Sequence, residues 1–427
     1  MSNTAEFLKK AIDVLPGGVL GRHCYTEESD HIPVSGSGAY LIDSVGRRYI
    51  DYSCGGGSLI LGYSHPAIVS AVQRQAEDAM QLISIRNVPA IKLAGRIAEL
   101  VSWVDQVRFT LSGSEAVMMA LRLARAHTGR DKVLKFDGAY HGNCDYSLWN
   151  LEHEHYSSTD TGSPGSAGIP SVIKDFVLVA PYNDLDTTKR IIEENWRSLA
   201  AIIIEPVQRS YSANLDFLSG LRKLCDESGI VLVYDEVVTG FRHGLGGAAE
   251  VFGIEPDLGA FGKALGGGMP VGAVGGKRDI MNCANPRSNT VEAGYAYVTS
   301  SQAGNPLGMA AGIATLDELQ RPGVLSGMHS RAENLKDGLR EILRFRKVEA
   351  QVVGFGPLWD LAFCTTPIID HRSAQKADGG KLMQFHLGLI QEGIMVRAGG
   401  RSYFSTAHND RDLQKTLDAA DRTLREL

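Results

Sequence analysis

From residue 106 onward the chain alternates short β-branched or apolar runs with stretches of helical spacing, and this order restricts the fold more than any other feature. "QVRFTLS" is followed by "EAVMMALRLARAHTG", "KVLKF" leads to "GAYHG", "AAIIIEPV" is followed by "LSGLRKLCDESG", and "IVLVYDEVV" comes next. Strands separated by helix-length segments predict βαβ units and a largely parallel sheet with both faces covered. Such sheets bind ligands just beyond the carboxyl ends of their strands, so the chemistry is expected there.

Two residues stand at such ends. In "IVLVYDEVVTGF", Asp235 closes a β-branched run, and alternation points Glu236 to the opposite face. One of the two acids is therefore expected inward with a cationic partner, because an unpaired buried carboxylate is costly. A lone acid at this place also reads as a cap for the next loop. Lys263, in "LGAFGKALGGGMPVG", lies between an apolar run and three glycines. A phosphate-loop lysine needs G-x-x-x-x-G-K-[ST]. That reading fails, since Asp257 takes the first glycine position and Ala264 the hydroxyl position. A snorkelling surface lysine stays open. The alternative is a desolvated lysine that attacks carbonyl carbon, with Gly266, Gly267 and Gly268 letting backbone approach a planar ligand. An aldehyde cofactor with a basic ring nitrogen accounts for both residues: Lys263 forms a Schiff base and Asp235 keeps the ring nitrogen protonated.

A phosphate on that cofactor finds a place in "TLSGSEAVMMALRLA". Ala116, Met119, Ala120, Leu123 and Ala124 follow helical spacing, and Ser112-x-x-Glu115 fits a capping box. Free N–H groups, the helix dipole and the hydroxyls of Ser112 and Ser114 together make an anion site. Alone, the stretch reads equally as a plain capped helix; its weight comes from Asp235 and Lys263.

The stretches "SGSEAVMMALRLARAHTGRDKVLKFDGAYHG", "IIIEPV", "DEVVTGFR", "GKALGGGMPVGAVGGKRDIM" and "GNPLGMAAG" resemble the class III pyridoxal-phosphate aminotransferases. Within these the chain is most similar to the glutamate-1-semialdehyde aminomutase branch, in order and over nearly its whole length. The resemblance implies an α/β protein of fold type I, aspartate-aminotransferase-like. It would have a mostly parallel seven-stranded central sheet in a large domain, and a smaller α+β domain. It also implies a homodimer with shared active sites, pyridoxal 5'-phosphate as cofactor and pyridoxamine 5'-phosphate as its aminated form. By position it implies Lys263 as the Schiff-base lysine and Asp235 as the partner of the ring nitrogen. Ser112, Gly113 and Ser114 hold phosphate. Tyr140 stacks on one ring face and Val237 packs on the other. His141 lies beside the ring, Glu205 supports the site, and Gln208 lies near the ring hydroxyl. The family's phosphate-binding threonine from the neighbouring subunit falls at Ser301, preceded by Ser300; the hydroxyl is kept and the methyl lost.

The implied reaction moves an amino group between an amino acid or amine and a 2-oxo acid. An intramolecular aminomutase, or a racemase on the same scaffold, is the alternative. The aminomutase pattern is broken where its substrate is read. "SWG" after "DY" becomes Gly55, Gly56 and Gly57, its early arginine falls near Cys24 with Arg22 two residues away, and its glutamate in "AFEAG" becomes Gly400. Loss of the tryptophan should widen the pocket for a bulkier donor, aromatic or β-amino. Arg22, Arg397 and Arg401 are candidates for holding a substrate carboxylate bidentately, though each taken singly also reads as a surface arginine.

Composition narrows the rest. A net charge of −6 and the absence of a basic run predict no nucleic-acid or anionic-membrane partner. The six cysteines are scattered without CxxC pairs, which predicts reduced thiols in the cytoplasm and no metal site. Neither a signal peptide nor a membrane-spanning run is expected. We expect residues 1–60 to contribute to the small domain and dimer contacts, 61–315 to form the large cofactor-binding domain, and 316–427 the small α+β domain. Within these we expect a helix over 4–15 capped by Thr4 and a hairpin over 38–53. A helix over 65–80 should carry Ile68, Ala71, Val72, Ala76 and Ala79 on one face. A long polar loop over 150–170 reads as a lid or an excursion.

Overall fold

A computed structural model describes residues 3–21, 31–83, 85–151, 162–287, 290–291 and 294–427. These fall into two compact units, Ala67–Pro322 with Pro367–Ala374, and Met1–Pro66 with Gly323–Thr366 and Gln375–Leu427. Arg22, and residues 152–161 of the expected lid, lie outside the described residues.

The first unit is built on the expected seven-stranded sheet. Its order is Gln106–Thr110, Gly272–Gly276, Leu258–Phe261, Val231–Asp235, Leu199–Ile204, Lys132–Phe136 and Val177–Ala180. Only Gly272–Gly276 runs antiparallel to its neighbours. Every residue of the three central strands Leu258–Phe261, Val231–Asp235 and Leu199–Ile204 is buried, as two covered faces require. The helix Gly113–Thr128 lays its whole predicted stripe, Ala116 to Ala124, into a core with Val133, Ile203, Val233 and Ala260. Gly272–Gly276 was not foreseen as a strand. Its glycines are there for close packing: a Cβ would come within 2.3 Å of Thr110 Oγ1 at Gly272 and 2.4 Å of the Asp257 carbonyl at Gly276. The helix Pro66–Asp78 forms, but only Ile68 of its predicted face is buried and Ala76 is exposed.

The second unit holds a four-stranded sheet of order Pro33–Ser37, Tyr40–Asp43, Arg48–Asp51 and Ile394–Met395, and a three-stranded one of Gln351–Val353, Leu358–Ala362 and Ser402–Tyr403. The expected hairpin is the antiparallel pair Tyr40–Asp43 and Arg48–Asp51. Helices Val324–Arg346, Gly379–Gln391 and Asp410–Glu426 complete it, the last opened by a capping box at Asn409. Tyr52 anchors this core, edge-on to Trp359 and stacked on His408 at 4.3 Å. The first helix is Asn3–Val14, so Thr4 sits inside it rather than capping it. Its hydroxyl lies 2.6 Å from Ser44 Oγ, a tertiary partner invisible to local spacing.

Candidate active site

Register brings the predicted residues to one edge. Ile204 pairs with Tyr234, so Glu205 and Asp235 leave adjacent strands at the same level, and Lys263 follows two residues after the end of the next strand, in which Ala260 pairs with Asp235. The turn after Lys132–Phe136 adds Tyr140 and His141 at this edge.

Asp235 and His141 form the centre. His141 Nδ1 lies 2.8 Å from Asp235 Oδ2, with the two residues 1% and 5% exposed. The second oxygen of Asp235 accepts from the Val237 N–H at 3.1 Å. Among the described residues the buried Nε2 of His141 has no hydrogen-bond partner. The sequence led us to expect one inward acid with a cation. Instead both acids are buried, with Glu236 at 0% exposure, and the partner of Asp235 is an imidazole. Glu236 is satisfied by neutral donors, the Thr239 hydroxyl and the Ala248 N–H at 2.8 Å. Burial still pushes its carboxyl up to about 7.

A helix end abuts this centre. Ser112 caps Gly113–Thr128, its Oγ accepting from the Glu115 N–H at 3.2 Å. Glu115 reaches back to the Leu111 N–H at 2.7 Å, not to Ser112, so the predicted capping box is met in one half and displaced by a residue in the other. Gly113 is pressed against Val237, where a Cβ would come within 2.7 Å of both methyl groups. A Cβ at Gly262 would be 3.3 Å from Gly113 Cα, and one at Gly142 only 2.6 Å from Ser114 Cα. The helix end, Val237, the Gly262–Lys263 turn and the loop of His141 thus share one locus.

Lys263 opens the short 3-10 turn Lys263–Gly266, half-buried, with φ +42. Left-handed backbone is uncommon outside glycine and concentrates where geometry serves function. Tyr140 stays 36% exposed, its hydroxyl donating to Asn143 Oδ1 at 2.8 Å. Its N–H donates to Glu205 Oε2 at 3.2 Å. Gln208 is fully buried; its Nε2 donates to the Asp137 carbonyl at 2.6 Å and its Oε1 has no partner among the described residues. Among the described residues Ser300 and Ser301 share no hydrogen bond with this cluster. They precede the helix Pro306–Leu319, where the Ser301 carbonyl accepts from Gln81 Nε2 at 3.1 Å. Arg397 and Arg401 belong to the other unit, in the segment between Ile394–Met395 and Ser402–Tyr403. Sequence reasoning missed Gly142, Gly262 and Lys135. The first two stood inside quoted motifs, and their signal was a glycine beside a chemically active residue.

The chain is similar to known proteins over most of its length. The family model Aminotransferase class-III matches residues 25–409. A glutamate-1-semialdehyde 2,1-aminomutase of Desulfatibacillum aliphaticivorans is 37% identical, with 100% of each chain covered. The crystal structure of an omega-transaminase from Sphaerobacter thermophilus superposes with a TM-score of 0.94 at 33% identity, covering 99% of this chain and 97% of that one. A beta-phenylalanine aminotransferase from Variovorax paradoxus does so with a TM-score of 0.87 at 29% identity, covering 98% and 93%. With the family model matching residues 25–409 and a 37%-identical relative covering the whole chain, the chain belongs to the class-III aminotransferase family.

Proposed function

We propose that this enzyme is an aminotransferase that takes an amine or a bulky, aromatic or β-amino acid as donor and a 2-oxo acid as acceptor. One observation carries the reading: the Asp235–His141 pair, Lys263 and a capped helix end meet at a single strand edge.

The family implies pyridoxal phosphate, and the residues fit it. His141 Nε2 and Gln208 Oε1 are buried and orphaned among the described residues, as polar atoms awaiting a ligand are. The first N–H groups of a helix suit a phosphate. Gly113 lets the helix end close on Val237, where a Cβ would not fit. When bound, the cofactor supplies an aldehyde and a cationic ring that draws electrons from the bond being broken.

The chain's own residues then divide the work. Lys263 Nζ would hold the aldehyde and, once displaced by the donor amine, take the proton from the donor carbon that bears the amino group. Positioned proton transfer of this kind contributes roughly 10²–10⁴-fold. Asp235 would keep the ring nitrogen protonated; a carboxylate offers about four acceptor positions, and His141 and the Val237 N–H take two of them. Ser112, Gly113 and Ser114 would hold phosphate. Tyr140 and Val237 would cover the ring faces, and Gln208 Oε1 would accept from the ring hydroxyl.

The similarity to a 37%-identical aminomutase favours intramolecular amino transfer as a second reading. The run Gly55–Gly57 argues against it. Gly56, at the tryptophan position of the aminomutase pattern, has φ +70 with nothing among the described residues within 4 Å of a Cβ, and its two neighbours are also left-handed.

We also propose a homodimer. Met80, Leu82, Ile83, Ile85, Val88 and Ile91, all between residues 80 and 91, are apolar and 41–71% exposed, and a second copy would cover them. In that dimer Ser300 and Ser301 would serve the neighbouring site, and the buried Ser300 Oγ, without a hydrogen-bond partner among the described residues, is in keeping with it. Cys144, Cys225, Cys283 and Cys364 form no disulfide among the described residues, which supports a cytoplasmic location, and none of the described helices is long and apolar enough to cross a membrane.

Mixing cofactor-loaded protein with donor panels tests the reaction. An aromatic or β-amino donor should bleach the lysine-bound absorbance, with recovery only on adding a 2-oxo acid. Turnover of one substrate without any acceptor would instead favour the aminomutase.

A further inference from the structure

We propose that Lys135 is a positioning residue that fixes the loop of Tyr140 and His141 before the cofactor arrives, its ammonium held by the carbonyls of Ala139, Ser147 and Trp149. The inference rests on the reading of Tyr140 and His141 as ring neighbours.

Lys135 belongs to the strand Lys132–Phe136, paired with Val179 on one side, and is 1% exposed. An apolar residue is the ordinary occupant of such a position. Its Nζ donates to the carbonyl oxygens of Ala139 at 2.9 Å, Ser147 at 2.8 Å and Trp149 at 2.6 Å. An ammonium has three donors, and all three are used on one loop. Burial pushes its pKa down to about 7, while the nearby Glu205 and Asp137 favour the charged form and Arg209 opposes it. A methionine would fill the same volume without that desolvation.

The first of these contacts sets a direction. The Ala139 carbonyl and the Tyr140 N–H belong to one peptide plane. Lys135 holds its oxygen, and Glu205 Oε2 holds its N–H at 3.2 Å. Opposite charges thus pin both edges of the plane from which Tyr140 and His141 depart. At the far end of the loop, Asn150 Nδ2 donates to Asp137 Oδ1 at 2.6 Å, and the Gly138 N–H donates to the Asn150 carbonyl at 3.2 Å. The loop is closed at its base, and Lys135 ties its beginning at Ala139 to its end at Ser147 and Trp149.

Lys135→Met tests this. In the cofactor-free variant, the amides of Tyr140, Ser147 and Leu148 should exchange with solvent roughly tenfold faster or more, while those of Val231–Asp235 stay slow. Pyridoxal phosphate should bind roughly tenfold more weakly, as expected for losing charge-assisted hydrogen bonds that hold its contacts. Borohydride should still attach the cofactor to Lys263. Unchanged exchange and affinity would overturn the proposal. If the variant does not fold, the cofactor-free wild type decides: a protected Tyr140 amide supports a loop set in advance, and free-chain exchange refutes it. If borohydride does not label Lys263 in the wild type, the functional reading fails, and the exchange comparison still judges Lys135.

Discussion

Replacing Gly142 with alanine tests how the His141 loop is joined to the anion-binding helix end. Gly142 has φ +92, and a Cβ there would lie 2.6 Å from both Cα and Oγ of Ser114. Carbon atoms in ordinary contact sit about 3.5–4.0 Å apart, so the two backbones would have to part by about 1 Å. Left-handed backbone in alanine adds about 1–3 kcal/mol of strain, and overpacking about 1–3 kcal/mol more. Gly168 supplies the control, having φ +90 with nothing among the described residues within 4 Å of its Cβ. Chemical denaturation of the cofactor-free proteins should show Gly168→Ala losing about 1–3 kcal/mol and Gly142→Ala about 2–6 kcal/mol. A fluorescence titration should show Gly142→Ala binding pyridoxal phosphate at least roughly tenfold more weakly, with Gly168→Ala unaffected. Wild-type affinity in Gly142→Ala would refute the placement of Ser114 at the phosphate.

Asp235→Ala should lower kcat by roughly 10²–10³-fold, the usual loss for an aimed electrostatic contact, and a near-wild-type rate would remove Asp235 from the ring nitrogen. Glu236 binds its proton at about 7 in the native chain against an ordinary 4.5. Its contribution to stability is therefore full below about 4.5 and lost as pH rises through about 7. Glu236→Gln should flatten that fall, read from denaturation midpoints across the interval, and an unchanged slope would contradict it. Arg397→Ala or Arg401→Ala should raise KM for a carboxylate substrate roughly tenfold or more with little change in kcat. If neither does, substrate carboxylate is held elsewhere.

The alternating pattern revealed the parallel core because Leu199–Ile204 and Val231–Asp235 are buried on both faces and carry β-branched runs. Gly272–Gly276 stayed hidden because its residues answer to Thr110 and Asp257, not to any intrinsic strand preference. Lys135 escaped for a related reason. In "KVLKF" a lysine reads as a solvated position, and its three acceptors follow in a loop with no periodicity. The acids at 235 and 236 were legible as a strand end, but their partners were not. His141 arrives from a different strand, and the donors to Glu236 come from a turn and the helix Gly247–Phe252. Ser112 was found by its spacing to Glu115, a contact that stays within one turn.

The most direct test of the account is chemical. The protein is loaded with pyridoxal phosphate, reduced with borohydride and digested, and the modified peptide is sequenced by mass spectrometry. The account predicts one stable cofactor adduct, on Lys263. An adduct on another lysine, or none, would contradict it.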